Sequence, residues 1–339
     1  MKLRPYLILL AFALLMLNKS YCQLPDSIKN HIDSSLLILE KNSLYSKNLN
    51  WPKIRQQVYN AAATAKTKAQ TFPALKIAFD ALGDKHAAYY QFDDQYRLDN
   101  PTLMARYSDS IKAAWKKGPR ILKQMIGDIA YISIPLMAAG KQEDIDKYAN
   151  WIYDAVLALQ KNNPAGWIVD LRLNGGGNIR PMLAGLAMFF GDGIVSYYID
   201  RNGKATDEAA FKDGDFTIDG VKQATVKNKV PYFSPVKTAV LIGPGTASSG
   251  EGVAVVFSQR KHTKLFGQPS AGMANATNGF VFNNQQSYFL ISTAYIGNKN
   301  KKRLPESIQP DQKVTPNDAF SDVNADLVVK AAVEWLTKK

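Results

Sequence analysis

The segment GPGTASSGEG, Gly243–Gly252, follows directly on the apolar run TAVLI, Thr238–Ile242. An apolar run that ends in glycines and small polar residues predicts a buried strand, a tight turn and then a helix. The first turn of a helix carries unpaired backbone N–H groups and the positive end of the helix dipole, which stabilise a serine alkoxide or an oxyanion. Ser248, at the predicted turn, is therefore a candidate nucleophile.

A purely structural interpretation of the same segment stays open. Ser248 and Glu251 have the spacing of a capping box, in which the side chain of each residue binds the backbone N–H of the other. The G-x-S-x-G pattern of α/β hydrolases is absent, because Gly245 precedes Ser248 by three positions. For the next serine, Ser249, the residue two positions earlier is Ala247. The segment thus predicts either a nucleophile or a helix cap, on a fold other than that of the α/β hydrolases.

Strands and helices alternate on both sides of this segment, which predicts an α/β core over residues 126–339. The preceding part of the chain has a different pattern. Stretches with helical spacing of apolar residues, one of them with Pro52 at a first-turn position, predict a helical N-terminal subdomain over residues 23–125.

Residues 1–22 have the pattern of a secretory signal peptide. Lys2 and Arg4 precede the apolar run LILLAFALLML, so we expect cleavage after Cys22 and export to a periplasm or to the cell exterior. A lipid anchor on Cys22 is the less favoured alternative, because lipoprotein sites usually have a small residue where this chain has Tyr21. Cys22 is the only cysteine, so the exported protein would have no disulfide, no catalytic thiol and no cysteine-bound zinc.

The chain is basic. Its formal net charge is +13, and removal of Lys2, Arg4 and Lys19 with the signal peptide leaves +10. The cations are scattered apart from NKNKKR, Asn298–Arg303, and no nucleic-acid-binding motif accompanies them. We therefore expect a solvated loop at this position, no nucleic-acid partner, and at most a weak association with an anionic envelope surface.

A second candidate element is DLRLNGGGN, Asp170–Asn178, in which a predicted strand ends in Gly175, Gly176 and Gly177. Three glycines let the backbone approach a partner closely and point its N–H groups at that partner. The segment lacks the lysine of a phosphate-binding loop, and Arg180 stands where a dinucleotide-binding loop requires glycine. No nucleotide cofactor is therefore predicted, whereas a simple glycine turn and an oxyanion-binding loop both remain open.

The chain has three histidines, and none has a second histidine at metal-ligand spacing, so no metal site and no cofactor are predicted. His31 lies in the first predicted helix, and we expect it on the helix surface. His262 lies in the charged segment QRKHTK and is expected in solvent. His86, in LGDKHAAYY just after a helix end, is the best candidate for a general base.

Together these segments resemble the carboxy-terminal processing (tail-specific) and tricorn-core serine peptidases. The resemblance rests on LGD-x-H, DLR-x-NGGG, GP-x-TASS-x-E, KLFGQPSAG and IQPD in this order, from about residue 50 to about residue 320. It implies a crotonase-like α/β core of repeated strand-strand-helix units. It also implies that Ser248 is the nucleophile with Glu251 as its accompanying glutamate. The implied oxyanion hole consists of backbone N–H groups of Gly175, Gly176 and Ser249.

The two branches of this family differ in the general base. The tail-specific branch uses a lysine where this chain has Met273, and a thioether cannot accept a proton at neutral pH. Resemblance to the tricorn-like branch therefore implies a dyad of Ser248 and His86. The group that orients His86 stays open, because Leu304 stands where a glutamate is expected and Glu306 lies two positions further on. Too few residues follow His86 before the predicted core for the PDZ domain of the tail-specific branch.

We therefore expect an exported serine peptidase without a PDZ domain, which hydrolyses peptide bonds of polypeptide or peptide substrates through an acyl-enzyme. The alternative is a catalytically inactive family member that binds peptides or apolar ligands. Lys85 beside the candidate base and the absence of both the lysine and the glutamate favour this alternative.

Overall fold

The computed structural model describes residues 24–233 and 235–338. The predicted signal peptide, residues 1–22, and Cys22 within it lie outside the described residues. The α/β fold class with a helical N-terminal region is confirmed. No helix in the described part of the chain combines the length and apolar character needed to span a bilayer.

The α-helices of the described residues are as follows: α1 Asp26–Asn42, α2 Trp51–Ala61, α3 Phe72–Leu82, α4 Pro101–Met104, α5 Asp109–Lys116, α6 Gln142–Gln160, α7 Ile179–Gly185, α8 Ser249–Ser258 and α9 Leu327–Thr337. The strands are β1 Ala88–Gln91, β2 Asp94–Tyr96, β3 Lys123–Ile126, β4 Ile129–Ser133, β5 Gly166–Asp170, β6 Gly193–Ile199, β7 Ala205–Lys212, β8 Asp215–Ile218, β9 Val221–Lys222, β10 Thr238–Ile242, β11 Thr263–Gly267, β12 Asn275–Phe282, β13 Ser287–Asn298 and β14 Gln312–Lys313.

One sheet forms the centre of the α/β core, in the order β14-β11-β10-β5-β4-β3. Its strands are parallel except β3, which runs antiparallel to β4. Every residue of β4, β5 and β10 is buried, as expected for a parallel sheet with both faces covered. Helices α6, α7 and α8 pack on one face and α9 packs on the other.

Strands β5 and β10 are direct neighbours in this sheet, with Thr238 paired with Trp167 and Leu241 with Asp170. Parallel neighbours end at the same edge of a sheet, which is where α/β proteins place their ligand sites. The glycine segment after β5 and the serine segment after β10 therefore leave the sheet side by side.

A second sheet has the order β2-β1-β13-β6-β7-β8-β9, and β12 pairs with β13 outside that path. Helices α1, α2 and α3 pack against it and share an apolar cluster with Tyr89, Phe289 and Ile291. Strands β6 to β9, within residues 193–222, were not predicted from the sequence. The predicted domain boundaries at residues 22/23 and 125/126 stay predictions.

The prediction for His31 was wrong. Its side chain is buried, and its Nε2 lies 2.9 Å from the amide oxygen of Gln91 on β1. His31 lies on the face of α1 that packs against the second sheet. Its ring is therefore buried among apolar side chains and is stabilised there by the hydrogen bond to Gln91. His262 is exposed, as predicted.

A buried ion triad joins the end of β5 to the start of α9. The Arg172 guanidinium binds Asp170 at 2.7 Å and Asp326 at 2.9 Å, and all three side chains are at most 4% exposed. Asp326 also caps α9 by accepting the N–H groups of Val328 and Val329. Because Arg172 lies just before the glycine segment, the triad fixes the point at which that segment leaves the sheet.

We expect Arg172→Met to lower the free energy of unfolding by about 3–5 kcal/mol, because it leaves two buried carboxylates without their partner. Urea denaturation of the two proteins measures the difference. The matched control is Lys338→Met, which removes an exposed pair with Glu334; exposed pairs contribute about 1 kcal/mol or less. Equal effects of the two substitutions would show that the triad is not a structural requirement.

Candidate functional site

The predicted strand, turn and helix around Ser248 are confirmed, with β10 before the turn and α8 beginning at Ser249. Ser248 is the N-cap of α8 and has φ 53° and ψ −120°. A non-glycine residue with positive φ is uncommon, and such strain concentrates at functional sites. The backbone therefore forms a sharp elbow between strand and helix, similar to a nucleophile elbow, although the G-x-S-x-G pattern is absent.

The glycine segment packs directly against this elbow. Gly176 has φ 102°, and a Cβ atom on it would lie 2.7 Å from Ser248 Cβ and 3.2 Å from Ser248 Oγ. A Cβ atom on Gly250 would lie 2.6 Å from the carbonyl oxygen of Asn174, which also accepts the Ala247 N–H at 2.9 Å. Glycine is thus required at both positions, because the Ser248 side chain fills the space beside Gly176 and the Asn174 backbone fills the space beside Gly250.

Two side chains fix the glycine segment. The Ser249 hydroxyl donates to the Gly177 carbonyl at 2.7 Å, and the Gly176 N–H donates to the buried Asn174 side chain at 3.0 Å. In contrast, neither the Gly175 N–H nor the Ser249 N–H donates to any acceptor among the described residues. Of the three predicted oxyanion donors, two are therefore unpaired and Gly176 is already engaged.

Glu251 is buried and joins the elbow to the loop after β11. Its carboxylate accepts the backbone N–H groups of Ser248 at 2.7 Å, Gly272 at 2.8 Å and Met273 at 3.0 Å, together with the Ser270 hydroxyl. Burial raises the pKa of Glu251 to about 7, although these hydrogen bonds lower it. Since all four partners donate, the ionised carboxylate is the form that suits this position.

His86 lies just before β1 and is held through its backbone. Its N–H donates to Asp84 at 3.0 Å, and Asp84 in turn accepts the Ser292 N–H at 2.8 Å and the Ser292 hydroxyl at 3.0 Å. Burial, and next the charge of Arg97, lowers the pKa of His86 to about 4, so the ring is neutral at neutral pH. Among the residues that the structure describes, its buried Nδ1 atom has no hydrogen-bond partner, and no hydrogen bond joins the ring to Ser248.

Glu306 lies in a polar cluster with Tyr45. It forms an ion pair with Arg303 at 3.5 Å. The Tyr45 hydroxyl accepts a hydrogen bond from the Asn275 side chain at 2.6 Å. The pKa of Tyr45 is raised by burial first, and then by the charges of Glu306 and Asp84. Glu306 and Asp84 are therefore both near the Tyr45 hydroxyl, and Glu306 makes no hydrogen bond to the imidazole of His86.

Three polar residues of the site were not predicted from the sequence: Asp84, Asn174 and Ser270. Asp84 and Asn174 belong to the quoted motifs LGD-x-H and NGGG, and a polar residue inside such a motif was a usable signal. Ser270, in the quoted motif KLFGQPSAG, carried the same signal, but its partner Glu251, 19 positions away, could not be read from the sequence. Among the residues that the structure describes, no group of three or more His, Cys, Asp or Glu side chains could hold a metal ion.

Residues 128–314, more than half of the chain, match Peptidase family S41. The chain belongs to this family. The matched region contains the glycine segment, the Ser248 elbow and Glu251, whereas His86 precedes it. The resemblance stated from the sequence is thereby confirmed for the family, and membership supports a serine peptidase.

Relatives of this S41 family member share most of its length. A nisin-resistance protein from Lactococcus lactis subsp. lactis is 27% identical over 315 residues, which cover 92% of this chain and 88% of that protein. A lipoprotein from Streptococcus agalactiae superposes with a TM-score of 0.67 at 21% identity, covering 92% of this chain and 97% of that one. The photosystem II D1 C-terminal processing protease has a TM-score of 0.60 at 13% identity, covering 90% and 97%. These structural similarities show the shared fold.

We expect Gly176→Ala to lower the free energy of unfolding by about 1–3 kcal/mol, because the new methyl group overlaps Ser248. Urea denaturation measures this change. Gly140→Ala is the matched control, since a Cβ atom there meets nothing within 4 Å; we expect a change within about 0.5 kcal/mol. If Gly176→Ala is as stable as the control, Gly176 does not pack in close contact with Ser248 in solution.

We expect the His86 ring of this S41 family member to titrate with a midpoint near pH 4, because burial disfavours the imidazolium. The proton NMR signal of its Cε1–H, assigned through His86→Gln, gives the midpoint. Arg97→Gln should raise it, since a neighbouring positive charge is removed. A midpoint near 6.5 in the unchanged protein would mean that the ring is solvated.

Proposed function

We propose that this chain is an exported serine peptidase that hydrolyses peptide bonds through an acyl-enzyme, with Ser248 as the nucleophile and His86 as the general base. The observation that carries the proposal is the Ser248 elbow, whose strained backbone lies against Gly176 with the Ser249 N–H unpaired. A helix cap alone does not require a serine with positive φ, because an N-cap residue ordinarily has extended backbone angles. Family membership supports the same reaction class.

The proposed oxyanion hole consists of the Gly175 and Ser249 N–H groups, which make no other hydrogen bond to the described residues. When Ser248 Oγ attacks the substrate carbonyl, negative charge develops on the carbonyl oxygen and these donors stabilise it. The Ser249 hydroxyl and the Asn174 side chain keep the two donors at a fixed separation. The Gly176 N–H would join the hole only by leaving Asn174, so we assign Gly176 to close packing rather than to charge stabilisation.

The proposed base is in its proton-accepting form at neutral pH, although a pKa near 4 makes it a weaker base than a histidine whose pKa lies near the working pH. Its pKa near 4 keeps the His86 ring neutral, so it can accept the hydroxyl proton of Ser248 as the bond from Oγ to the carbonyl carbon forms. The imidazolium then gives this proton to the amine leaving group. In the second half of the reaction, water attacks the acyl-enzyme, and His86 takes a proton from the water and returns one to Ser248. The hydrogen bond between the two residues is expected to form on substrate binding, because catalytic hydrogen bonds are often long in unliganded enzymes and tighten only in the complex.

Met273 disfavours the alternative base of the tail-specific branch. The residue lies beside the elbow, because its N–H binds the same Glu251 carboxylate as the Ser248 N–H. A thioether has no proton-accepting capacity near neutral pH, so a Ser–Lys dyad has no base at this position. His86 is the remaining candidate among the residues singled out by the sequence.

We propose export on the pattern of residues 1–22 alone. Because the relative from Lactococcus lactis is named a nisin-resistance protein, nisin is one of the polypeptides to test as a substrate. Too few residues lie between His86 and the core for a PDZ domain that would bind a substrate's carboxy terminus. The substrates to be tested therefore include internal peptide bonds.

The first experiment compares cleavage of casein and of nisin by the mature protein and by four variants. Ser248→Ala should lower kcat/KM by about 10³-fold or more, as should His86→Gln, because nucleophile and base act as a unit. Ser249→Ala should reduce the rate partially, since it frees the Gly177 carbonyl while keeping the backbone donor. Ser258→Ala, at the far end of α8, is the control and should match the unchanged protein.

A fluorophosphonate probe gives an independent result, because it labels an activated serine without requiring the correct peptide. If the unchanged protein cleaves neither substrate and takes up no probe, the peptidase proposal fails. The alternative function, a protein that binds peptides or apolar ligands, then has the better support. The unpartnered His86 Nδ1 and the missing hydrogen bond to Ser248 are the observations that favour this alternative.

A further inference from the structure

A cavity of about 730 Å³ opens beside the Ser248 elbow. Three residues of the site line it: Gly175 of the proposed oxyanion hole, Ala247 just before the nucleophile, and Met273. Its volume lies within the range of about 300–1,000 Å³ that is usual for small-molecule sites. We refer to this cavity as the Trp115 pocket, after the largest side chain in its wall.

One wall of the Trp115 pocket comes from residues 107–122, which precede the core sheet. This wall is tied to both loops of the site. Trp115 donates its indole N–H to the Leu173 carbonyl at 3.0 Å, directly before the loop that carries Gly175. Arg106 donates to the Ser270 carbonyl at 3.0 Å, in the loop that binds Glu251. The pocket therefore has its shape before any substrate arrives.

The Trp115 pocket is mainly apolar and its mouth is exposed. Leu122 is 41% exposed and Leu136 is 39% exposed, although both are large apolar side chains. Exposed apolar side chains around a cavity mark a binding surface. Three charged side chains also line the pocket: Lys117, Arg120 and Asp318. Their net charge of +1 disfavours a lysine or arginine side chain of a ligand there.

We propose that the Trp115 pocket receives a large apolar side chain of the polypeptide substrate, from one of the two residues that flank the bond cleaved at Ser248. Aromatic and long aliphatic side chains fit it, whereas the net positive charge of its lining disfavours basic ones. The identity of this occupant rests on the proposed function. The pocket is continuous with the elbow through Ala247 and Gly175, so a peptide held at Ser248 has its neighbouring side chains at the mouth.

The test maps every cleavage site in casein by mass spectrometry. We expect Phe, Leu, Met, Tyr or Trp at one of the two positions flanking the cut, about twofold above their combined frequency in casein, and Lys and Arg depleted there. Ala114→Trp fills the pocket and should lower kcat/KM at these sites about tenfold or more. Its matched control is Ala63→Trp, at an exposed position in the N-terminal region.

A second, milder variant guards against misfolding of Ala114→Trp. Leu136→Ala removes apolar surface from the mouth of the pocket and should weaken the preference severalfold. The control is Leu37→Ala, since Leu37 is similarly exposed at 44% but lies on α1. If the unchanged protein cleaves casein at sites without this enrichment, and both pocket variants cleave the same sites at the same rates, the inference is overturned while the peptidase function stands.

A binding measurement separates the pocket from catalysis. The fluorescence of the aromatic anion 8-anilinonaphthalene-1-sulfonate should increase on mixing with the Ser248→Ala protein. The increase should be lost in the double variant Ser248→Ala/Ala114→Trp and kept in the double variant Ser248→Ala/Ala63→Trp. If the unchanged protein cleaves nothing, the proposed function fails, and this probe still decides whether the pocket binds apolar groups. No fluorescence gain in the Ser248→Ala protein would contradict an apolar pocket.

Discussion

The contact between the glycine segment and the serine elbow is the constraint on which the rest of the site depends. Parallel pairing of β5 with β10 brings both segments to one edge of the core sheet. At that edge, Gly176 leaves no room for a side chain against Ser248, and the Asn174 carbonyl leaves none on Gly250. The strained backbone of Ser248 is therefore held by neighbours that cannot move apart without breaking buried hydrogen bonds.

Several buried polar groups next to the glycine segment and the elbow stabilise this contact. The Arg172 triad fixes the end of β5, and Glu251 gathers the N–H groups of the elbow and of the loop after β11. Each group makes several hydrogen bonds, which offset the cost of removing its charge from water. The same segments also line the Trp115 pocket through Gly175 and Met273, so substrate recognition and chemistry would share one support.

The elements of the α/β core could be predicted from the sequence better than the strands of the second sheet, because the signals of the core elements are local and strongly apolar. Strand β10 and helix α8 follow from an uninterrupted apolar run, a glycine turn and a capping pattern, all of which are local. Residues 193–222 form half-exposed strands, so they lack the strong apolar run that identified β10.

Side-chain partners that are distant in the sequence were beyond prediction. His31 is buried because Gln91, 60 positions away, binds its ring. The anchoring of His86 depends on Asp84 and its bond to Ser292, 208 positions away. The elbow residue Ser248 could be named from its motif, whereas the engagement of the Gly176 N–H by Asn174 required the fold.

Asp84 also occupies a particular place in the second sheet. Along one edge of β13, strand β1 pairs with residues up to Leu290 and β6 pairs from Tyr295 onward, and Asp84 bonds to Ser292 in the interval. The proposed base is thus carried by one sheet and the proposed nucleophile by the other. The distance between the His86 ring and Ser248 Oγ then depends on how the two sheets pack against each other. Substitutions in the helices packed against β13 would therefore change the separation of His86 and Ser248 without altering a residue of the loops that carry them.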